Sequence, residues 1–280
     1  MNEIIDIVKT HSDPEVKIRV AKFPCTDERH SRRNIIIVPG WLSGIDNFTT
    51  TAKELQAYGN IVVYEPRGFG ESLTPHKKGL FTVDKYNEEL KLVINHLKFE
   101  DKDFILLGSC AGAAMVFSYV LDGTGKKPNA LVVFSPNERY KTPFWLPILG
   151  WIPTFFMSFI QKLIIIFYRL HVKIRSKKES ETVTWAEERL KKNDAWSLRR
   201  YVLEFIISYD IIGRQKEIDI PMLIFIAKKD YFVDIEKSKE FTHHLDTEIF
   251  QVDISMHRIQ EGNEKLIAKE VARYLNKIKL

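Results

Sequence analysis

Cysteine is scarce in this chain. Two thiols in 280 residues, Cys25 and Cys110, make no disulfide framework, and they are too few for a thiolate zinc site. No stretch alternates basic and aromatic residues, and a net charge of +5 is modest, so nucleic acid is not an expected partner. The opening residues MNEIIDIVKTHSDPEV lack the basic and apolar regions of a secretory leader, which leads us to expect a cytoplasmic protein with reduced thiols. No internal repeat and no low-complexity segment stands out. The uncharged run from Phe144 to Ile160 falls short of the roughly 20 apolar residues of a membrane span, and Pro147, Gly150 and Pro153 interrupt it.

What is present is a rhythm. From residue 33 onward, short β-branched runs alternate with helical periods. NIIIV at Asn34–Val38, NIVVY at Asn60–Tyr64, DFILL at Asp103–Leu107, ALVVF at Ala130–Phe134 and MLIFI at Met222–Ile226 read as strands. Each is a near-continuous apolar run, as expected where a parallel sheet is covered on both faces. Between them, Val83–Leu97 sets Tyr86, Leu90, Val93, Ile94 and Leu97 on one helical stripe, and Ile235–Leu245 and Glu264–Lys277 behave similarly. Repeated strand–helix units predict an α/β fold with a mostly parallel sheet and right-handed crossovers, whose ligand site lies beyond the carboxyl ends of the strands. The rhythm breaks after Pro143 and resumes near Gly213. We expect a core at 1–140 and 213–280, and a helical cap inserted at 141–212, with two amphipathic charged helices between Glu181 and Tyr209.

The sharpest motif is FILLGSCAGAAM, residues 104–115: a strand, then Gly108-Ser109-Cys110-Ala111-Gly112, then the start of a small-residue helix. This is the Gly-x-nucleophile-x-Gly elbow, with Cys110 at its centre. The turn is too tight for larger side chains two residues before and two after the nucleophile. The following helix aims its N-terminus at the sulfur and favours thiolate. The bland alternative is an inert buried cysteine. Ser109 is a rival nucleophile, but centring the motif on it would put Leu107 where a small residue is required.

These motifs make the chain similar to the α/β-hydrolase superfamily over nearly its whole length. VYEPRGFGES at Val63–Ser72 resembles the superfamily's Asp-x-Arg-Gly-x-Gly-x-Ser stretch, with Glu65 in place of Asp. IVPGWLSG at Ile37–Gly44 resembles its oxyanion loop, with Pro39 in place of His. A cysteine at the elbow resembles dienelactone hydrolases and polyhydroxyalkanoate synthases, the minority branches that lack the usual serine.

A cysteine attacking an acyl carbon needs a base, and histidine titrates near working pH. His257 follows the strand-like Glu248–Val252 and precedes the last helix, where the superfamily carries its histidine. Asp230, just past the strand ending near Ile226, resembles the superfamily's acid; Asp234 reads as a helix N-cap and Glu138 as a weaker candidate. His11, His30, His76, His96, His171, His243 and His244 stand in no motif. For the oxyanion we expect the backbone N–H groups of Trp41 and Ala111, with Gly40 letting the loop approach the substrate closely. The cap's Phe144, Trp145 and Trp151, with Gly40 and Trp41, are the expected substrate contacts.

These expectations describe acyl transfer through a thioester on Cys110. The substrate is an ester or thioester with a hydrophobic chain, carried on coenzyme A or a carrier protein, and no metal or organic cofactor is implied. Two alternatives stay open: an acyltransferase on the same triad, and a non-catalytic protein that binds a hydrophobic ligand or partner. The basic residues Arg169, Lys173, Arg175, Lys177 and Lys178 behind the apolar run offer, as a lesser addition, peripheral contact of the cap with an anionic membrane.

Overall fold

The computed structural model describes all residues except 1–2, 11–13, 154–155, 157–158, 160–161, 164–165, 167–183, 185–186, 229, 231–234, 242–243 and 255–256. Eight strands form one sheet in the order β1-β2-β4-β3-β5-β6-β7-β8. The strands are β1 (Ile4–Lys9), β2 (Lys17–Phe23), β3 (Asn34–Val38), β4 (Asn60–Glu65), β5 (Ile105–Ser109), β6 (Ala130–Phe134), β7 (Met222–Ala227) and β8 (Glu248–Val252). From β4 to β8 all neighbours are parallel, while β1/β2 and β2/β4 are antiparallel. The chain therefore has the α/β-hydrolase fold.

The central strands β3, β5, β6 and β7 are buried almost throughout, and their side chains divide between two cores. On one face Ile36, Val38, Leu106, Val133 and Ile224 meet α2 (Val83–His96) and α3 (Ala111–Asp122). On the other, Ile35, Ile37, Leu107, Val132 and Phe225 meet α1 (Ile45–Leu55) and the terminal helix α6 (Glu264–Lys277). A helix crossing to alternate faces follows from strands that are apolar on both sides.

The first two strands escape a search for continuous apolar runs. β2 alternates, burying Ile18 and Val20 on one face, and β1 at the sheet edge leaves Ile4, Ile5 and Ile7 partly in solvent. The expected helix at Ile235–Leu245 is shorter in the structure: α5 spans Ile235–Ser238 and passes into a 3₁₀ turn at Lys239–Phe241. Asp234, His11, His171, His243, the five basic residues from Arg169 to Lys178, and the start of the expected helices at Glu181 lie outside the described residues.

Between β6 and β7 the chain leaves the sheet. Its two ends are held together by a bridge between Arg139 and Asp210 and by Ile211 N–H donating to Glu138 O at 2.9 Å. Helix α4 (Ala195–Tyr201) returns toward the core and continues into one π-helical turn at Val202–Ile206. This return is stitched to the core loops. Asn193 accepts from Gly70 N–H at 3.0 Å, and the Glu204 carboxylate accepts from Gly79 and Phe81 N–H at 2.9 Å each. Among the described residues, no helix is long and apolar enough to cross a membrane.

Candidate active site

Cys110 sits between β5 and α3 with φ 51° and ψ −110°, in a region that L-residues rarely occupy. Its N–H donates to Phe134 O at 2.8 Å, fastening the bend to the neighbouring strand. The flanking glycines are required by close approach. A Cβ on Gly112 would stand 2.0 Å from Val38 O, and one on Gly108 would stand 2.7 Å from the Cα of Ala113. The cramped turn thus explains the Gly-x-Cys-x-Gly spacing, and it leaves the cysteine half-buried at the sheet's carboxyl edge. The rival Ser109 is the last residue of β5 and is buried.

Two later loops bring His257 and Asp230 to this edge. His257 Nδ1 lies 2.8 and 3.0 Å from the two carboxylate oxygens of Asp230, whose side chain is 1% exposed against 20% for the imidazole. A side-chain hydrogen bond also links His257 to Cys110. Burial pulls the imidazole's pKa down. The charge of the Cys110 sulfur, the hydrogen bonds from Asp230 and Cys110, and the charge of Asp230 together outweigh that and push it up to about 10. The arrangement therefore favours the imidazolium form of His257.

Sequence reasoning missed Ser135. It follows β6 with φ 48°, is almost wholly buried, and donates its hydroxyl to Asp230 Oδ2 at 2.8 Å. The Ser135 N–H is anchored on Phe225 O at 2.9 Å. Nothing in its sequence neighbourhood signals this role beyond its place just after a strand. Glu138 is engaged elsewhere, accepting from Gln215 Nε2 at 2.8 Å and pairing with Lys237.

The remaining described histidines have other partners. His96 reaches Asp6 at 2.7 Å, and His76 reaches Asp194 at 2.9 Å while stacking on Trp196. His30 lies beside Tyr58, and His244 is 3.9 Å from Asp219.

Ala111 is the first residue of α3, so its N–H has no intrahelical partner and points out at the bend. The loop after β3 carries Gly40 and Trp41 along the same edge. A Cβ on Gly40 would stand 2.7 Å from Ser109 O and 3.4 Å from Cys110 Cβ, so this loop passes directly against the elbow. Among the described residues, no backbone acceptor is paired with Trp41 N–H. The loop is braced by Glu65, the residue standing in the superfamily's Asp position. Its buried carboxylate accepts from Ile45 N–H at 3.0 Å and Glu71 N–H at 2.8 Å, tying the start of α1 to the Arg-Gly-x-Gly turn. Burial raises the Glu65 pKa, partly offset by these two N–H donors. Arg67, in that turn, is buried with its Nε 2.7 Å from Glu89, also buried.

The expected cap contacts are exposed to different degrees. Phe144 is 95% exposed and Trp151 89%, while Trp145 and Trp41 are about half exposed at 48% and 42%. Phe144 and Trp145 precede, and Trp151 ends, a 3₁₀ segment at Leu146–Trp151. Phe144 and Trp151 stand mostly in solvent.

A mostly parallel sheet with an elbow, an acid and a histidine at its carboxyl edge defines a hydrolase of the α/β type. The profile of the family described as Serine aminopeptidase, S33 matches residues 29–260, and the chain belongs to that family. Proline iminopeptidase of Saccharolobus solfataricus is 24% identical over 222 residues, 71% of each chain. Among solved structures, an esterase from Exiguobacterium antarcticum superposes with a TM-score of 0.76 at 13% identity, covering 98% of this chain and 100% of its own. A thermophilic esterase from Thermogutta terrifontis superposes with a TM-score of 0.77 at 14% identity, covering 99% of both chains. These superpositions speak for the fold. The family takes its name from a serine, and this chain departs from it by carrying Cys110 at the elbow.

Proposed function

We propose that this enzyme is an acyl hydrolase, a thioesterase or esterase, working through a Cys110–His257–Asp230 triad and a covalent thioester. The observation that carries the reading is a single chain of contacts: a sulfur on a strained bend, hydrogen-bonded to an imidazole that is held by a buried carboxylate. The cysteine at the elbow is what favours the minority branch of the superfamily in this reading.

The sulfur attacks the acyl carbonyl and forms a C–S bond, and the charge moving onto the carbonyl oxygen is met by the N–H groups of Trp41 and Ala111. The tetrahedral adduct collapses, and the leaving oxygen or sulfur takes its proton from His257. His257, now neutral, removes a proton from water; the resulting hydroxide attacks the thioester carbonyl and releases the acid and the Cys110 thiolate. Asp230 fixes the ring so that Nε2 faces the sulfur, and Ser135 fixes Asp230. We place the cap at 141–212, over this edge. Phe144, Trp145, Ile148 and Trp151 form an exposed apolar stretch on it, which favours contact with an anionic bilayer surface beside acyl delivery to the site.

Intact-protein mass spectrometry after brief exposure to acyl thioesters and esters tests the reading. An acyl adduct on wild type that vanishes in Cys110→Ala, with free acid as product, supports it. Turnover surviving in Cys110→Ala refutes it. An amide arm with a prolyl anilide tests the activity named for the Saccharolobus solfataricus relative. Faster cleavage of that anilide than of any ester or thioester would replace acyl hydrolysis with peptidase action.

A further inference from the structure

Near the sulfur the core contains hydroxyls with nothing to bond to. Among the described residues, the phenol oxygens of Tyr64, Tyr140 and Tyr201 are buried without a hydrogen-bond partner. Tyr201 is 1% exposed, and both it and Tyr140 lie within electrostatic reach of Cys110. Tyr64 lies instead within reach of the Arg67–Glu89 pair. The neighbouring tyrosines behave differently: Tyr209 donates to Asn137 O at 2.9 Å and Tyr86 to Arg67 O at 3.1 Å.

An orphaned buried hydroxyl is costly, and phenylalanine would fill the same space. The rings here already pack as phenylalanines would. Tyr201 stacks on Phe205 at 5.1 Å and meets Phe69 and Tyr86 edge-on at 4.9 and 5.7 Å, while Tyr140 packs on Tyr209 at 5.6 Å. What tyrosine adds at 140 and 201 is the oxygen alone. The backbone points the same way. Tyr201 runs directly into the π-helical turn at Val202–Ile206, a distortion frequent at functional sites. That segment is fixed to the core through Glu204, so the position of Tyr201 is built in.

We propose that Tyr140 and Tyr201 form a polar subsite beside Cys110, their hydroxyls donating to a neutral oxygen, a carbonyl or hydroxyl, carried by the acyl group close to the reacting carbon. The inference rests on the acyl-hydrolase reading and narrows it to oxygenated acyl groups. Neutral phenols suit a neutral acceptor. A carboxylate buried here would require a cation, and the nearby Arg67 is committed to Glu89.

The test compares kcat/KM for two acyl thioesters of equal length, one plain and one carrying a β-oxo group, on wild type, Tyr140→Phe, Tyr201→Phe and Tyr209→Phe. Wild type should favour the β-oxo substrate by at least about 10-fold. Each of the first two variants should cut that ratio several-fold, and the double variant should bring it near one. Each should also raise Tm by roughly 2–4 °C, because the orphaned oxygen is gone. Tyr209→Phe, which breaks a made hydrogen bond, should lower Tm and leave the ratio unchanged. Equal rates for both substrates in wild type, or an unaltered ratio in Tyr140→Phe and Tyr201→Phe, overturns the subsite while acyl hydrolysis stands. Failure to turn over either thioester, with no adduct on Cys110, overturns the underlying reading and the subsite with it.

Discussion

If the sulfur at position 110 holds His257 in its charged form, removing that sulfur must release the imidazole's proton at much lower pH. Two unit charges about 4 Å apart at an effective dielectric near 20 attract by about 4 kcal/mol, equivalent to about three pH units. The imidazole titrates at about 10 in the intact site. In Cys110→Ala only Asp230 still lifts it against burial, so it should fall to about 7. Cys110→Ser should behave alike, because the hydroxyl stays neutral. His257 would then act as a base on a neutral nucleophile, and turnover should be weaker than in wild type. The assay is an NMR titration of the His257 ring in ¹⁵N-histidine-labelled wild type and both variants. Stability provides a second readout. A histidine raised from 6.5 to about 10 on folding contributes stability that is whole below pH 6.5 and is lost as pH climbs through 10. The ceiling is roughly 5 kcal/mol. Denaturant melts of wild type should therefore weaken between pH 6.5 and 10, while those of Cys110→Ala stay flatter. A wild-type His257 that titrates near 6.5, indifferent to Cys110→Ala, refutes the charged pair.

Ser135→Ala removes the hydroxyl on Asp230 and should cost about 1 kcal/mol of stability and lower kcat by about 10-fold with KM little changed, read by steady-state kinetics on the best acyl substrate. Gly112→Ala drives a methyl into Val38 O. With backbone on both sides, it should cost more than about 4 kcal/mol, seen as loss of soluble folded protein, and a well-folded Gly112→Ala would show that the elbow can relax. Replacing both Phe144 and Trp151 by Asp should abolish sedimentation with vesicles rich in anionic lipid and leave turnover of a short soluble ester intact. Equal sedimentation of wild type and the double variant would remove the bilayer from the account.

Most of this fold could be read in advance because its central strands are apolar on both faces. Asn34–Val38, Ala130–Phe134 and Glu248–Val252 coincide with the runs chosen from sequence, and α6 begins and ends where its stripe does. The antiparallel edge was missed because a strand wet on one side reads as alternation mixed with charge, as in Lys17–Phe23. Helix α1 was missed as well, since its buried face of Ile45, Phe48, Ala52 and Leu55 also carries the polar Thr51. At the site, Cys110, Asp230 and His257 were chosen from motif and chain order, and they meet in space. Ser135 carries no motif, because any small donor at the end of β6 would serve. The exposure of Phe144 and Trp151 was unreadable too, because an apolar run gives composition and not the direction of its side chains.

The backbone supplies an argument independent of side-chain chemistry. Among the described residues, six that are not glycine have positive φ: Leu42, Lys98, Lys102, Cys110, Ser135 and Lys279. The three lysines occupy turns and ends of helices, where such geometry is ordinary. The other three follow β3, β5 and β6, adjacent strands at the middle of the sheet, and each lies where the chain leaves the carboxyl edge. Leu42 shapes the loop that presents Trp41, Cys110 carries the sulfur, and Ser135 holds Asp230. Conformations of this kind cost of order 1–3 kcal/mol each and persist only where the surroundings impose them. Here the imposing surroundings are the two buried cores that lock β3, β5 and β6 in register. Their cost would serve no purpose in an inert βα turn. Leu42, Cys110 and Ser135 thus lie along one edge of the sheet, which supports the proposal that Cys110 is the reacting group.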